Sequence, residues 1–159
     1  MTKPSIRAAA LTAALALAGC ATPYRHYEGP ELPPEKVAVL VSSPSSATRG
    51  LLSEKLGINM FGTANVLVNE IDGKKKQGKY SYNEPSAHQF EIHLPPGKHS
   101  LLLRIDYAGA ITRPITINFV AEAGHRYFVA AHIEDVDGKR HWSPVLVDET
   151  SNTLINPRR

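Results

Sequence analysis

The chain has 159 residues, with 42% apolar residues, a single cysteine and a formal net charge of +3. This length holds one domain with a self-sufficient core, and one cysteine excludes an intrachain disulfide, so packing and backbone hydrogen bonds must supply the stability. Without Lys3 and Arg7, which belong to an N-terminal signal, sixteen basic residues face fifteen acidic ones; that balance excludes the strongly basic face of a nucleic-acid reader.

The first element is an export signal. Lys3 and Arg7 precede an apolar run from Ala8 to Ala18, and small residues follow. A membrane-spanning helix needs about 20 apolar residues, roughly twice this run. An ordinary secretion signal is the alternative, since Ala8-Ala9-Ala10 and Ala18-Gly19 also suit a standard peptidase. Leu17-Ala18-Gly19-Cys20 resembles the lipobox of bacterial lipoproteins. The resemblance implies cleavage after residue 19, a diacylglyceryl thioether on the Cys20 sulfur, and usually a further acyl chain on the freed amine. Each buried methylene contributes about 0.8 kcal/mol, so one chain attaches marginally and two or more anchor stably. In that family an aspartate after the cysteine favours the inner membrane. Here Ala21 follows, and by analogy the address is the periplasmic face of an outer membrane.

Residues 20–35 carry Pro23, Pro30, Pro33 and Pro34 and read as an extended tether. At about 3.1 Å per residue it would hold a domain up to roughly 45 Å from the lipid. Tyr24 and Tyr27 would rest at headgroup level or pack on the domain. The domain spans 36–150. Lys36 to Ser42 alternates as a strand with Val37, Val39 and Val41 inward. Between Pro44 and Thr63 two readings stay open: a short helix near 50–57 carrying Leu51, Leu52 and Leu56 and ended by Gly57, or a loop whose Leu52, Ile58, Met60 and Phe61 plug the core edge. The helix is preferred.

Strand signals then become regular. Asn65 to Ile71 runs into Asp72-Gly73, a strong tight-turn pair. Lys74-Lys75-Lys76 opens a polar loop, with Tyr80 to Tyr82 as a short edge strand. Phe90, Ile92 and Leu94 alternate inward before the turn at Pro95-Pro96-Gly97-Lys98, whose third position needs a positive φ. From His99 to Tyr107, residues Leu101, Leu103, Ile105 and Tyr107 share a face. Ile111 to Val120 follows, and Pro114 within it predicts an edge or a bulge. Tyr127, Val129, Ala131 and Ile133 share the next face, Asp137-Gly138 turns the chain, and Trp142 to Asp148 is the last strand. Residues 151–159 read as a polar, fraying tail. About seven short strands separated by Gly, Pro and Asp-Gly turns predict an all-β, antiparallel β-sandwich.

Ile71-Asp72-Gly73, then Ile92 to His99, then Ala123 to Tyr127 resemble in succession the PEGA-type β-sandwich modules of bacterial envelope proteins. The likeness covers roughly residues 65 to 130, departs between Gly73 and His88, and extends in general pattern to small lipoproteins carrying such a module. It implies a noncatalytic envelope module and transfers no active site.

Chemistry is sparse. His132 and Glu134, two apart, would converge on an ion, but zinc needs three or four ligands, so solvated outer-face residues explain them better. His88, His93 and His99 lie too far apart along the chain to form a close pair. Asp135 to Gly138 fits half of a calcium loop and lacks its first and last ligands. No Gly-x-Ser-x-Gly elbow and no Ser-x-x-Lys occurs. No enzyme activity and no cofactor or metal is expected; a hydrolase would need a serine, histidine and aspartate assembled from distant residues. Lys74, Lys75 and Lys76 with Tyr80 and Tyr82 form a basic-aromatic cluster, a solvated loop or a contact surface for lipid, lipopolysaccharide or a partner. Trp142 is a core residue or a sugar-stacking platform. The expected partners are a lipid bilayer, through acylated Cys20, and an envelope protein. A glycan or peptidoglycan ligand is the alternative, and no nucleic acid is expected.

Overall fold

A computed structural model of the chain describes residues 23–57, 65–75, 90–107 and 110–155. In chain order the elements are β1 (Tyr24–Arg25), a 3-10 turn (Pro34–Lys36), β2 (Ala38–Val41), α1 (Ser46–Leu56), β3 (Asn65–Ile71) and β4 (Lys74–Lys75). Then come β5 (Glu91–Leu94), β6 (Gly97–Tyr107), β7 (Ala110–Ile111), β8 (Ile115–Ala121), β9 (Arg126–Val136), β10 (Lys139–Asp148) and β11 (Thr153–Leu154). One sheet has the order β1-β5-β2-β9-β10-β11; in the other, β4-β3-β6, both β7 and β8 pair with the far edge of β6. Two sheets and one helix make an all-β, sandwich-like fold. Seven of the described strands have four residues or more, and four have two.

The core lies between the sheets. Leu101, Leu103 and Ile105 of β6 face Leu40, Ile92, Leu94, Tyr127, Val129 and Leu146. Burying each such side chain contributes about 1.5–3 kcal/mol. The period-two pattern puts these residues inward as expected in β5, β6 and β9. The Asp-Gly turns form as expected too: Asp72 and Gly73 take φ of 52° and 73°, Asp137 and Gly138 of 53° and 73°. Both central residues of such a turn need a positive φ, which these types tolerate.

Strand β2 differs from its reading. Ala38 and Leu40 face the second sheet, while Val39 and Val41 face α1, which covers the outer side of β2, β9 and β10 through Leu52. Both faces of β2 are therefore apolar, and alternation alone could not tell them apart. The helix itself forms as preferred over the loop. The Ser45 side chain accepts from Thr48 N at its start, and Gly57 ends it at φ 61°. Met60 and Phe61 of the loop reading lie outside the described residues.

Further corrections concern pairing and ends. The sandwich is not wholly antiparallel, because β2 pairs with β9, and β1 with β5, in parallel. No short connection joins either pair, so direction is unconstrained by a hairpin. The tether is docked: Tyr24 and Arg25 pair with Ile92 and His93, Tyr24 packs against the core, and the Tyr27 hydroxyl accepts from Leu32 N at 3.2 Å. At the other end Thr153 and Leu154 pair with Asp148 and Val147, and Ile155 N donates to Leu146 O. That part of the tail does not fray, because it finishes a sheet edge. Pro114 sits in a break between β7 and β8, where Ile105 N donates to Thr112 Oγ1 at 3.1 Å. Strand β10 begins at Lys139, three residues before the expected Trp142.

Candidate functional site

The polar groups cluster in two places, both built by turns. The first centres on Asp72. Its Oδ1 accepts from Ser100 N at 2.8 Å, while His99 Nδ1 donates to Oδ2 at 2.7 Å and His26 Nε2 to the same oxygen at 3.2 Å. His99 Nε2 lies 2.7 Å from the carbonyl oxygen of Pro95. The side chains of His26 and His99 are 8% and 5% exposed, so neither ring can turn to water for a partner.

Burial pushes the Asp72 carboxyl upward, but the hydrogen bonds from Ser100 N and His99, with the nearby histidine charge, outweigh it and hold the group below 3.8. Burial likewise dominates at His26 and lowers it below 6.5, against the opposing pull of Asp72. The cluster joins three parts of the chain: the N-terminal segment, the β3–β4 turn and the start of β6. Its effect is to staple β1 of one sheet to the other sheet.

The second cluster centres on Asp148, which is 6% exposed. Its Oδ2 accepts from His125 Nδ1 at 2.8 Å, and its Oδ1 accepts from Thr150 N and Ser151 N at 2.9 and 3.2 Å. Burial raises this carboxyl, and the four hydrogen bonds from His125, Ser151 and Thr150 overcome it and lower it below 3.8. Beside it Glu149 accepts from Arg126 Nε at 2.9 Å and from Ser45 N at 2.6 Å, tying β9 to the start of α1. Rings link the two clusters through the core, from His99 to Phe119 to Tyr127 to His125.

The Tyr127 hydroxyl accepts from Glu122 N at 2.9 Å, and burial raises the phenol above 10.0. The folded state therefore resists the phenolate, and stability present below pH 10 falls as pH rises beyond it. Tyr127→Phe is expected to abolish this alkaline loss and to cost about 0.5–1.5 kcal/mol at pH 7 for the missing acceptor. Urea unfolding at pH 7 and pH 11 measures both.

The expected contact residues fall partly within the described residues. Lys74 and Lys75 are exposed on β4, while Lys76, Tyr80 and Tyr82 lie outside the described residues, as do Cys20 and His88. Trp142 is half-buried and packs against the core cluster, as the core reading expects. His132 Nδ1 and Glu134 Oε1 are 3.9 Å apart, and among the described residues no group of three His, Cys, Asp or Glu is placed to hold a metal. His93 Nε2 pairs with its own neighbour Glu91 at 3.1 Å.

Both acid–histidine clusters were missed from sequence. One signal was present: His99 has the same strand parity as Leu101, Leu103 and Ile105, so it faces inward and must find a polar partner. Beside Asp72 and His99 an open groove of about 570 Å3 passes Lys98, Ser100, Asn118 and Val120. Its wall holds no uncommitted base in His99, whose two nitrogens are both engaged.

Among the described residues, fold and site together define an all-β, two-sheet domain with one helix on its outer face, braced by acid–histidine staples. No family model matches the chain, and neither a curated protein nor a solved structure matches it.

Proposed function

We propose that the protein is a lipoprotein acylated on Cys20, held at the periplasmic face of an outer membrane, and presenting a noncatalytic sandwich to an envelope protein. What carries this reading is the Leu17-Ala18-Gly19-Cys20 run after an apolar segment; how near the domain sits to the lipid follows from β1. It starts four residues after Cys20 and is fastened to the domain by pairing with β5 and by the His26–Asp72 contact. On this reading only Ala21, Thr22 and Pro23 separate lipid from fold, so the domain rests within roughly 10–15 Å of the acylated sulfur, at about 3.3–3.6 Å per residue. It does not stand off on a long tether.

A noncatalytic role is supported by how the acidic and imidazole groups are used. Asp72, His99 and Asp148 spend their polar atoms on internal hydrogen bonds. The PEGA-like assignment rests on the succession of the Asp72-Gly73 turn, the turn into β6 and the turn at Gly124. For a glycan ligand, Trp142 offers only part of its ring, since it packs half-buried against the core cluster.

Cells fed radioactive palmitate test the anchor. The parent chain should take up label and sediment with membranes, and Cys20→Ser should lose both. A Cys20→Ser chain that still carries label and stays in the membrane pellet overturns the reading.

A further inference from the structure

The edges of the two sheets are treated unequally. The six-stranded sheet ends in β1 and β11, each two residues long, and the other sheet ends on one side in β4, which is two lysines. Short edge strands and lysines discourage pairing with another chain. Strand β8 has neither safeguard. It runs for seven residues, Ile-Thr-Ile-Asn-Phe-Val-Ala, all paired with β6 on one side, and among the described residues no strand lies on its other side. It carries no charge. Its outward residues Thr116, Asn118 and Val120 are exposed, Val120 by 56%.

We propose that β8 is a dimerisation edge, pairing antiparallel with β8 of a second copy about a two-fold axis at Asn118.

The strand's own pattern selects this occupant and this register. Side chains alternate faces, so only registers that set odd beside odd and even beside even keep the apolar residues on the core side. Of those, one pairs all seven residues. It sets Asn118 opposite Asn118 of the second copy, Thr116 opposite Val120, Ile117 opposite Phe119 and Ile115 opposite Ala121. Moving the axis to Ile117 or Phe119 leaves two residues of each strand unpaired. The strand is therefore self-complementary in face and length, as a two-fold interface must be. At the centre two amides meet and can each donate and accept. The inference is independent of lipidation at Cys20.

Cysteine crosslinking of the full chain tests it, in a Cys20→Ser background so that each copy carries one thiol. Directly opposed residues bring their Cβ atoms to about 4.5–5.5 Å, close to disulfide range. Under mild oxidation Asn118→Cys should give a disulfide dimer. Thr116→Cys and Val120→Cys should each form no disulfide alone and crosslink when mixed. A second arm uses charge at the same exposed position. Asn118→Lys and Asn118→Glu should each raise the concentration at which the dimer dissociates by about fivefold or more, and mixing them should restore the dimer. The proposal is overturned if the parent chain sediments as a monomer at every concentration. It also fails if Asn118→Cys crosslinks no faster than Ser53→Cys on the exposed face of α1, or if Thr116→Cys crosslinks with itself as readily as with Val120→Cys.

Discussion

Asp72→Ala should lower the unfolding free energy by about 2–3 kcal/mol, and it should loosen the N-terminal segment at the same time. One carboxylate here serves three donors: Ser100 N, His99 Nδ1 and His26 Nε2. Removing it leaves two buried imidazoles without their acceptor, and each stranded polar group costs about 1–3 kcal/mol. The Asp72 side chain is 34% exposed, so water enters part of the gap and the total stays at the lower end of that sum. Asp72→Asn should cost less, because asparagine tolerates the positive φ and its oxygen still accepts from Ser100 N. Urea unfolding at pH 7.5 measures the loss, and hydrogen exchange at residues 24–27 measures the loosening. A loss below about 0.5 kcal/mol would show that the cluster does not brace the fold.

The same cluster sets a response to acid. His26 sits below its ordinary 6.5, so the unfolded chain takes up a proton there before the folded one does. Stability is full above pH 6.5 and falls as pH drops from there towards the folded value. Asp72 and Asp148, both held below 3.8, add a second fall that starts near pH 3.8 and runs lower. The groups acting on His26 are Asp72, which favours its charge, and His99 and Lys74, which oppose it. His26→Gln should flatten the first fall and leave the second in place, read as midpoint denaturant concentration from pH 8 to pH 3.

Leu52→Ala is expected to cost about 2–4 kcal/mol and to melt α1 while the sheets remain. The helix has little intrinsic stability. It is 11 residues long, contains Gly50 and has no acidic residue in its first turn. An isolated helix of this length is marginal in water, and an interior glycine costs about 1 kcal/mol relative to alanine. What holds it is Leu52, fully buried against Val41, Phe128, Ala130, Val145 and Val147. Truncation there loses transfer energy and leaves a cavity, typically about 2–5 kcal/mol for leucine. Leu51→Ala, at a half-buried position, should cost less than half as much. Denaturant unfolding and far-ultraviolet circular dichroism of the two variants separate these outcomes.

These residues also show how far a linear reading reaches. The helix was legible as one of two readings through Leu51, Leu52, Leu56 and Gly57, but what it covers was not. Alternation places Val39 and Val41 in the sandwich core only where the strand is half-buried. A strand covered on both sides obeys no such rule, since its two faces are equally apolar. His99 was legible in principle from its parity with Leu101. Its partner Asp72 was hidden, because the Asp-Gly pair is already explained as a turn. His26 carried no signal, since a histidine among prolines looks like tether.

Alone, the sequence determined the strand positions of β3, β5, β6 and β9, the inward faces of the last three, and the turns at Asp72-Gly73, Gly97 and Asp137-Gly138. These follow from local chemistry: a period of two, and residue types that accept a positive φ. Only the tertiary structure decided that Val39 lies beside Arg126, that Tyr24 lies beside Ile92, and that His26, Asp72 and His99 meet. Those contacts join residues 27 to 87 positions apart. They exist because both sheets bury their apolar faces against each other and carry the polar groups along. No property of either short stretch specifies such a meeting.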